Sequence, residues 1–145
     1  MIVNTPQQTF RVALGQFFVK ETSTENLAAA RSLIERSETA GADLLVLPEC
    51  IIARKLGMPD WGQKHAEPLD GPFVSGLREA TRGRRVTVVC TVQAKIANES
   101  RYANDLLVIQ NGELRLTYQK IHLYDAFRGK ESSYAAPGDV LPQVL

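Results

Sequence analysis

Glu49 lies just after a predicted strand, at a position where a carboxylate could act as a general base. It follows a short apolar run, residues 44–47, through a single proline. Ligands of open α/β sheets bind at the carboxyl ends of the strands. A glutamate there can act as a general base, particularly if burial raises its pKa. A solvated loop glutamate is the alternative interpretation of the same position.

Lys120 lies at the end of an apolar strand pattern. Three apolar residues precede it at intervals of two: Leu114, Leu116 and Tyr118. Because residues two apart in a strand share one face, we expect Lys120 on the face of these three. A lysine there must extend to solvent, pair with an acid or take part in chemistry. A pair with Glu49 would suit a catalytic site, but the pattern leaves open whether the two meet.

The first third of the chain predicts the elements that would position Glu49. Alternating residues predict a strand over 10–17. Thr22 and Glu25 fit the capping box of a helix, which Gly41 would end. The apolar run 43–47 predicts a strand buried on both faces. The order strand–helix–strand favours a βαβ unit.

The middle of the chain predicts a long loop and then a second helix and strand. Residues 51–69 carry repeated glycine and proline and are interpreted as mostly loop. Pro72 suits the first position of a helix that ends at Gly83. The β-branched run 86–92 predicts a strand.

The segment before Lys120 predicts a β-hairpin. Asn111 and Gly112 separate two strand-like runs, residues 105–110 and 113–118. Asn-Gly favours a tight hairpin because both turn residues need positive φ. An antiparallel hairpin after a βαβ unit predicts an α/β fold with a mixed sheet.

Composition excludes several classes of protein. The 145 residues include 17 Lys plus Arg and 16 Asp plus Glu, a formal charge of +1, with 44% apolar residues. These values are typical of a soluble globular chain and exclude a disordered or collagen-like one. The charge indicates neither nucleic acid nor an anionic membrane as partner. No run approaches the roughly 18 apolar residues of a membrane-spanning helix. Two cysteines and no signal-like start predict a cytoplasmic protein.

The chain also lacks the usual motifs of cofactor and metal sites. It contains neither a Gly-x-Gly-x-x-Gly nor a P-loop pattern, so we expect no nucleotide cofactor. His65 and His122 have no partners at zinc-ligand spacing, so we expect no metal. A serine-hydrolase elbow of the Gly-x-Ser-x-Gly type is absent as well.

Four short motifs follow one another along the chain: Leu47-Pro48-Glu49, Tyr118-Gln119-Lys120-Ile121-His122-Leu123-Tyr124-Asp125, Glu131-Ser132 and Pro137-Gly138-Asp139. Their order and spacing resemble the nitrilase or carbon–nitrogen hydrolase superfamily, and most closely its amidase branch of omega-amidases and deaminated-glutathione amidases. Residues 11–16 are similar to the family's first strand, and Asn104 matches a recurrent family position.

The resemblance implies the family's αββα sandwich, an α/β fold. This chain would form its N-terminal half, a mixed sheet with two helices on one face. The expected division is an N-terminal extension, residues 1–9, and a partial carbon–nitrogen hydrolase domain, residues 10–145.

The same resemblance implies an amidase chemistry on small non-peptide amides. In the family a cysteine thiolate attacks the amide carbon, a glutamate transfers protons and a lysine stabilises the oxyanion. By position, Glu49 matches the general base, Lys120 the oxyanion stabiliser and Glu131 a second glutamate that positions substrate or lysine. Neither metal nor organic cofactor is implied, and the complete protein is expected to form a homo-oligomer.

One family residue has no match in this chain. The nucleophilic cysteine of the family lies downstream of the lysine, whereas Cys50 and Cys90 both precede Lys120. Cys50 adjoins Glu49, but neighbouring residues of an extended chain point apart, so we interpret it as a small buried residue. Cys90 falls within a predicted strand. We therefore expect the 145 residues alone to have no amidase activity.

Two other interpretations stay open. The chain could be a non-catalytic remnant or interaction module of the same fold, completed by a partner chain. It could instead be a doubly wound binding domain of flavodoxin type, although the hairpin at Asn111 and Gly112 argues against it.

Overall fold

The computed structural model describes residues 9–127 and 129–141. Its elements in chain order are β1 (Val12–Leu14), α1 (Ser23–Thr39), β2 (Leu44–Val46), α2 (Trp61–Lys64), α3 (Pro72–Thr81), β3 (Thr87–Lys95), β4 (Tyr102–Gln110), β5 (Glu113–Gln119), a 3₁₀ helix (Glu131–Ser133) and β6 (Ala135–Ala136). Residues 1–8 of the expected N-terminal extension lie outside this description.

The strands form one mixed sheet in the order β1-β2-β3-β4-β5, with β6 beside β4. β1, β2 and β3 pair in parallel, whereas β3, β4 and β5 pair antiparallel. The predicted mixed sheet is confirmed. A doubly wound parallel sheet of flavodoxin type is excluded, because three adjacent strands run antiparallel.

The hydrophobic core lies between one face of the sheet and the helices α1 and α3. Ile34 of α1 and Leu77 of α3 are fully buried with Leu45, Val88 and Leu107 of the sheet. Their burial removes apolar surface from water, which is the main favourable contribution to folding. No described helix is long and apolar enough to cross a membrane.

The predicted ends of α1 are confirmed. Thr22 is the N-cap, and its hydroxyl accepts a hydrogen bond from the Glu25 N–H at 3.4 Å and donates one to Glu25 Oε2 at 2.6 Å. The glutamate thus returns to the capping hydroxyl rather than to a backbone N–H. Gly41 follows the C-cap with φ +68°, a conformation that glycine adopts without strain.

The first two strands of the chain differ from their predictions. β1 covers only Val12–Leu14 instead of residues 10–17. Gly15 follows it so close to β2 that a Cβ on it would lie 2.7 Å from Leu47 Cδ2. In β2, Leu45 is fully buried but Leu44 and Val46 are only half-buried. The prediction of burial on both faces is wrong for this chain, since α1 and α3 pack on the face of Leu45.

The prediction for the apolar face of β5 is wrong at its start. The register between β4 and β5 shifts between Val108 and Ile109, which places Leu114 opposite Ile109 and Leu116 opposite Val108. Such a bulge adds one unpaired residue and reverses the alternation of faces. Leu114 packs against the helix-side core. Leu116, Tyr118 and Lys120 therefore lie on the opposite face.

The Asn-Gly hairpin is confirmed. Asn111 and Gly112 have φ values of +48° and +79° between β4 and β5. The hairpin turn is tied to α3, since Thr81 Oγ1 accepts a hydrogen bond from the Gly112 N–H at 3.0 Å. Within the predicted loop 51–69, the structure adds only the short helix α2.

Candidate active site

Glu49 lies on a loop that leaves β2 and stays bonded to β3, since the N–H groups of Leu47 and Ile51 donate to the carbonyls of Val89 and Thr91. Cys50 has φ +55°, a left-handed conformation that is uncommon for a residue other than glycine. The Cys50 N–H donates to Thr91 Oγ1 at 2.8 Å. Gln93 Nε2 donates to the Cys50 carbonyl at 3.0 Å. Thr91 and Gln93 of β3 thus hold the turn at Cys50, the residue that follows Glu49.

Lys120 follows the last residue of β5 and meets Glu49 and Glu131. Its Nζ lies 3.2 Å from Glu49 Oε1, 3.0 Å from Glu131 Oε2 and 3.2 Å from Glu131 Oε1. The three residues singled out from the sequence are therefore brought together in one cluster. An ammonium between two carboxylates can offer its N–H groups to a third oxygen that approaches it.

Glu131 is the buried member of the cluster. It begins the 3₁₀ helix, and the whole residue is 8% exposed. Its Oε2 accepts a hydrogen bond from the Tyr124 N–H at 2.6 Å in addition to the contact with Lys120. The carboxylate thus links the loop after β5 to the lysine.

The charges of Glu49 and Lys120 support each other. Burial raises the pKa of the Glu49 carboxyl, but the hydrogen bond from Asn104 and the positive charge of Lys120 outweigh it and hold that pKa below its usual value. Burial lowers the pKa of Lys120, yet the hydrogen bond to Glu131 and the charge of Glu49 raise it above its usual value. The raised pKa that would favour Glu49 as a base is therefore not found, and both groups are charged at neutral pH.

Asn104 of β4 contacts both carboxylates. Its Nδ2 donates to Glu49 Oε1 at 2.8 Å and lies 3.4 Å from Glu131 Oε1. The sequence indicated this residue only as a position matching a family pattern, with no chemical role. An asparagine within a strand carries no local signal of such a contact, since its partners come from distant loops.

A cavity of about 580 Å³ opens beside the cluster. Its lining includes Glu49, Cys50, Lys120 and Glu131 together with three aromatic residues: Trp61 of α2, and Tyr124 and Tyr134 on either side of the 3₁₀ helix. Small-molecule sites in proteins are concave and combine apolar and aromatic walls with a few polar groups that orient the ligand. This cavity has aromatic walls and an unusually large share of charged side chains.

Both thiols of the chain are weak acids. Burial raises the pKa of Cys90 to about 12. Burial and the negative charge of Glu49 raise the pKa of Cys50 to about 12. Cys50 is half-buried and borders the cavity, so its interpretation as a small buried residue holds only in part. The premise that Cys50 and Glu49 point apart on an extended chain is wrong, because Cys50 is in the left-handed region.

Among the described residues, no group of three or more His, Cys, Asp or Glu side chains is placed to hold a metal ion. The charged side chains that line the cavity are Glu49, Arg54, Lys55, Lys120 and Glu131.

The sequence model of the carbon-nitrogen hydrolase family matches residues 11–144. The chain belongs to the carbon–nitrogen hydrolase family. The predicted resemblance is thus confirmed over nearly the whole chain. The position of the boundary at residues 9 and 10 stays a prediction.

Named relatives within the family are amidases and hydrolases. The chain is 32% identical over 134 residues to the deaminated glutathione amidase of Escherichia coli O157:H7, covering 92% of this chain and 51% of that protein. It is 35% identical over 131 residues to a hydrolase of Mycobacterium tuberculosis, covering 88% of this chain and 45% of that protein. It is 27% identical over 139 residues to the omega-amidase NIT2 of Xenopus tropicalis, covering 90% of this chain and 48% of that protein.

Solved structures of the family share the fold. The chain aligns with the CN-hydrolase superfamily protein XC1258 of Xanthomonas campestris at a TM-score of 0.75 and 25% identity, over 92% of this chain and 48% of that one. It aligns with an amidase from Nesterenkonia sp. at a TM-score of 0.75 and 25% identity, over 94% and 51% of the two chains. The chain therefore spans about half the length of the relatives it matches.

Proposed function

We propose that this chain carries the proton-transferring and oxyanion-stabilising groups of an amidase that acts on small non-peptide amides. One observation carries the proposal. Lys120 Nζ lies between Glu49 and Glu131 at the wall of the cavity, within 3.2 Å of both. Membership of the carbon–nitrogen hydrolase family supports the same reaction class.

Each charged group has a role that fits its ionisation. Glu49 is deprotonated at neutral pH and serves as the general base that takes the proton of the attacking thiol and returns it to the leaving amine. Lys120 is protonated and stabilises the negative oxygen of the tetrahedral intermediate. Glu131 holds the ammonium of Lys120 in place through its two oxygens.

The nucleophile of the proposed reaction is a cysteine thiol supplied by a segment outside these 145 residues. Its sulfur would bond to the amide carbon, the amine would leave, and water would hydrolyse the thioester. The positions of Cys50 and Cys90 support this assignment, because both precede Lys120, whereas the nucleophile of the family follows the lysine. We therefore propose that the chain alone is inactive.

Ammonia release tests the proposal. The purified 145-residue chain is assayed with small primary ω-amides, the substrates that the name of its omega-amidase relatives suggests, because hydrolysis of a primary amide releases ammonia. The same assay is run on a protein that carries these residues within a complete family domain. We expect ammonia only from the complete domain, and loss of that activity in Lys120→Ala and Glu49→Gln.

Substitution of each cysteine in the 145-residue chain provides a matched control for this assay. Ammonia release that Cys50→Ala abolishes and Cys90→Ala preserves would assign the nucleophile to Cys50 and overturn the inactivity of the fragment. If the complete domain also fails to release ammonia, the non-catalytic interaction module becomes the better description.

Assembly and location are further parts of the proposal. We propose that the complete protein is a cytoplasmic homo-oligomer that binds neither nucleic acid nor membrane. The balanced charge of +1 supports the absence of nucleic-acid binding. Light scattering of the complete protein during size-exclusion chromatography would give its mass, and a monomeric mass would contradict the oligomer.

A further inference from the structure

Asn104 contacts every charged member of the cluster. Its carbonyl accepts a hydrogen bond from the Lys120 N–H at 2.9 Å, which extends the pairing of β4 with β5 by one residue. Its side-chain Nδ2 donates to Glu49 Oε1 at 2.8 Å and approaches Glu131 Oε1 at 3.4 Å. Asn104 itself is only 2% exposed, whereas the side chain of Glu49 that it contacts is 61% exposed.

The orientation of the Asn104 amide is set by the two carboxylates. Asn104 Oδ1 is buried and has no hydrogen-bond donor among the described residues. Turning the amide over would place that oxygen against Glu49 and Glu131, both acceptors when ionised. Leaving an acceptor buried without a donor is unfavourable. The observed orientation of the amide leaves Oδ1 without a donor, which is unfavourable. In return, it directs the N–H groups of Nδ2 at the carboxylates of Glu49 and Glu131.

A neutral donor has a particular use at this point. Two carboxylates and one ammonium leave the cluster with an excess of negative charge, which would favour protonation of one acid. The amide of Asn104 stabilises the ionised carboxylates without cancelling charge on Lys120. When an ammonium N–H turns toward an oxygen in the cavity, Glu49 still keeps the hydrogen bond from Asn104.

We propose that Asn104 is a positioning residue, which holds Glu49 ionised and in place beside Lys120. This inference rests on the proposed function, because it assigns Glu49 the part of proton acceptor. The residue does not line the cavity and acts through the carboxylates it contacts.

The test uses Asn104→Leu in the 145-residue chain. Leucine has nearly the same shape but removes both the donor and the unpaired acceptor. The carboxyl carbon of Glu49 is titrated by NMR in ¹³C-labelled protein, and thermal unfolding is followed in parallel. We expect Glu49 to titrate at higher pH than in the wild type. Titration of Glu49 at the wild-type pH in a folded Asn104→Leu chain would overturn the proposal.

Thr81→Val is the matched control for loss of a buried polar group. Thr81 is fully buried, and its hydroxyl accepts from the Gly112 N–H at 3.0 Å and donates to the Arg78 carbonyl at 2.9 Å, away from the cluster. We expect this variant to lower the melting temperature without moving the titration of Glu49. A shift of Glu49 in Thr81→Val as large as in Asn104→Leu would mean that general loosening moves it, and would also overturn the proposal.

Two further variants complete the design. If Asn104→Leu does not fold, Asn104→Ser is titrated instead, and it is expected to raise the pKa of Glu49 because the shorter side chain cannot reach both acids.

Lys120→Met separates the two proposals. If Lys120→Met raises the pKa of Glu49 and the Asn104 variants leave it unchanged, the Glu–Lys site stands and the positioning role fails. If neither change moves the pKa of Glu49, the Glu49–Lys120 pair itself is wrong.

Discussion

Lys120 Nζ lies 3.2 Å from Glu49 Oε1, although 71 residues separate them in the chain. β3 and β4 lie between the strands that precede these two residues. The loop after β2 stays bonded to β3, where the Ile51 N–H donates to the Thr91 carbonyl at 3.0 Å, and the side chains of Glu49 and Lys120 span the remaining distance. The pair therefore depends on a loop held to the sheet and not on adjacent strands.

Lys120→Ala should abolish most of the activity of a complete domain. A preorganised oxyanion donor contributes about 3–4 kcal/mol to transition-state stabilisation, so turnover should fall by roughly 10²–10³-fold. The measurement is kcat for ammonia release beside that of Lys130→Ala, a neighbouring lysine that is exposed. Turnover of Lys120→Ala within tenfold of wild type would remove this lysine from the site.

Glu49 should stabilise the fold at neutral pH and lose that effect in acid. Its folded pKa is lowered, so its contribution is complete above the unfolded value of about 4.3 and is lost as pH falls through the folded value. Urea unfolding of the wild type and of Glu49→Gln measures the difference in unfolding free energy. That difference should be constant from about pH 6 to 8 and shrink below about pH 4. A difference that persists undiminished to about pH 2 would contradict the pairing.

Lys120 should stabilise the fold at neutral pH and lose that effect at high pH. Its folded pKa is raised, so its contribution is complete below the unfolded value of about 10.4 and is lost as pH rises through the folded value. The stability difference between the wild type and Lys120→Met should therefore decline only above about pH 10. A decline already near neutral pH would show that the ammonium is not held by the two acids.

Glu131→Gln should destabilise the loop after β5. The carboxylate accepts hydrogen bonds from Lys120 Nζ at 3.0 Å and from the Tyr124 N–H at 2.6 Å. Buried hydrogen bonds to charged groups contribute about 1.5–3 kcal/mol, so we expect a loss in that range and faster hydrogen exchange at the Tyr124 amide. Glu113→Gln is the control, because its ion pair with Arg115 is exposed and should change stability by at most about 0.5 kcal/mol. Equal losses in the two variants would show that Glu131 is no more than a surface acid.

Gln93→Leu should release the loop that carries Glu49. Gln93 Oε1 accepts from the Ile52 N–H, and Nε2 donates to the carbonyls of Cys50 and Ala53, each at 3.0 Å. Loss of this buried amide leaves three backbone groups unpaired, at a cost of about 3 kcal/mol or more. Urea unfolding measures the loss of stability, and hydrogen exchange at the Ile52 amide measures the release of the loop.

The control for Gln93→Leu is Gln119→Leu. Gln119 is half-buried, and among the described residues its side chain bonds to the Ala136 carbonyl, at 2.9 Å. Its loss should cost about 1 kcal/mol and leave exchange at Ile52 unchanged. An unchanged Ile52 exchange rate in Gln93→Leu would refute the role of the amide in holding the loop.

Asp105→Asn should stabilise the protein at neutral pH. Asp105 is buried, and burial raises its pKa. Its folded pKa is higher than its unfolded one, so the folded state loses stability as pH rises from about 3.9 through the folded value. The asparagine variant should unfold at a higher urea concentration at pH 7, and its advantage should disappear near pH 3. A lower midpoint for Asp105→Asn at neutral pH would indicate that the ionised carboxylate has a stabilising partner.

Local features of the fold were predictable from the sequence. The helix cap at Thr22, the left-handed Gly41, the helix start at Pro72 and the hairpin at Asn111 depend on residues within a few positions of each other. Backbone preferences and short hydrogen bonds decide such features before any distant part of the chain is in place. The family motifs likewise pointed to Glu49, Lys120 and Glu131, and the structure brings these three side chains together.

Features that depend on long-range pairing were not predictable. The bulge that separates Leu114 from Leu116 arises from the register of β5 on β4, which the alternation within β5 does not contain. The left-handed turn at Cys50 is held by Thr91 and Gln93 of another strand.

The sequence by itself determined the fold class, because local periodicity and turn residues predict the elements. Its short motifs determined the family and the identity of the three charged residues. Only the tertiary structure decided that Asn104 joins the cluster, that the pKa of Glu49 is lowered rather than raised, and that Cys50 faces the same cavity. The physical reason is that charge, burial and hydrogen bonding at a site depend on distances between distant segments, and those distances exist only after the sheet has formed its register.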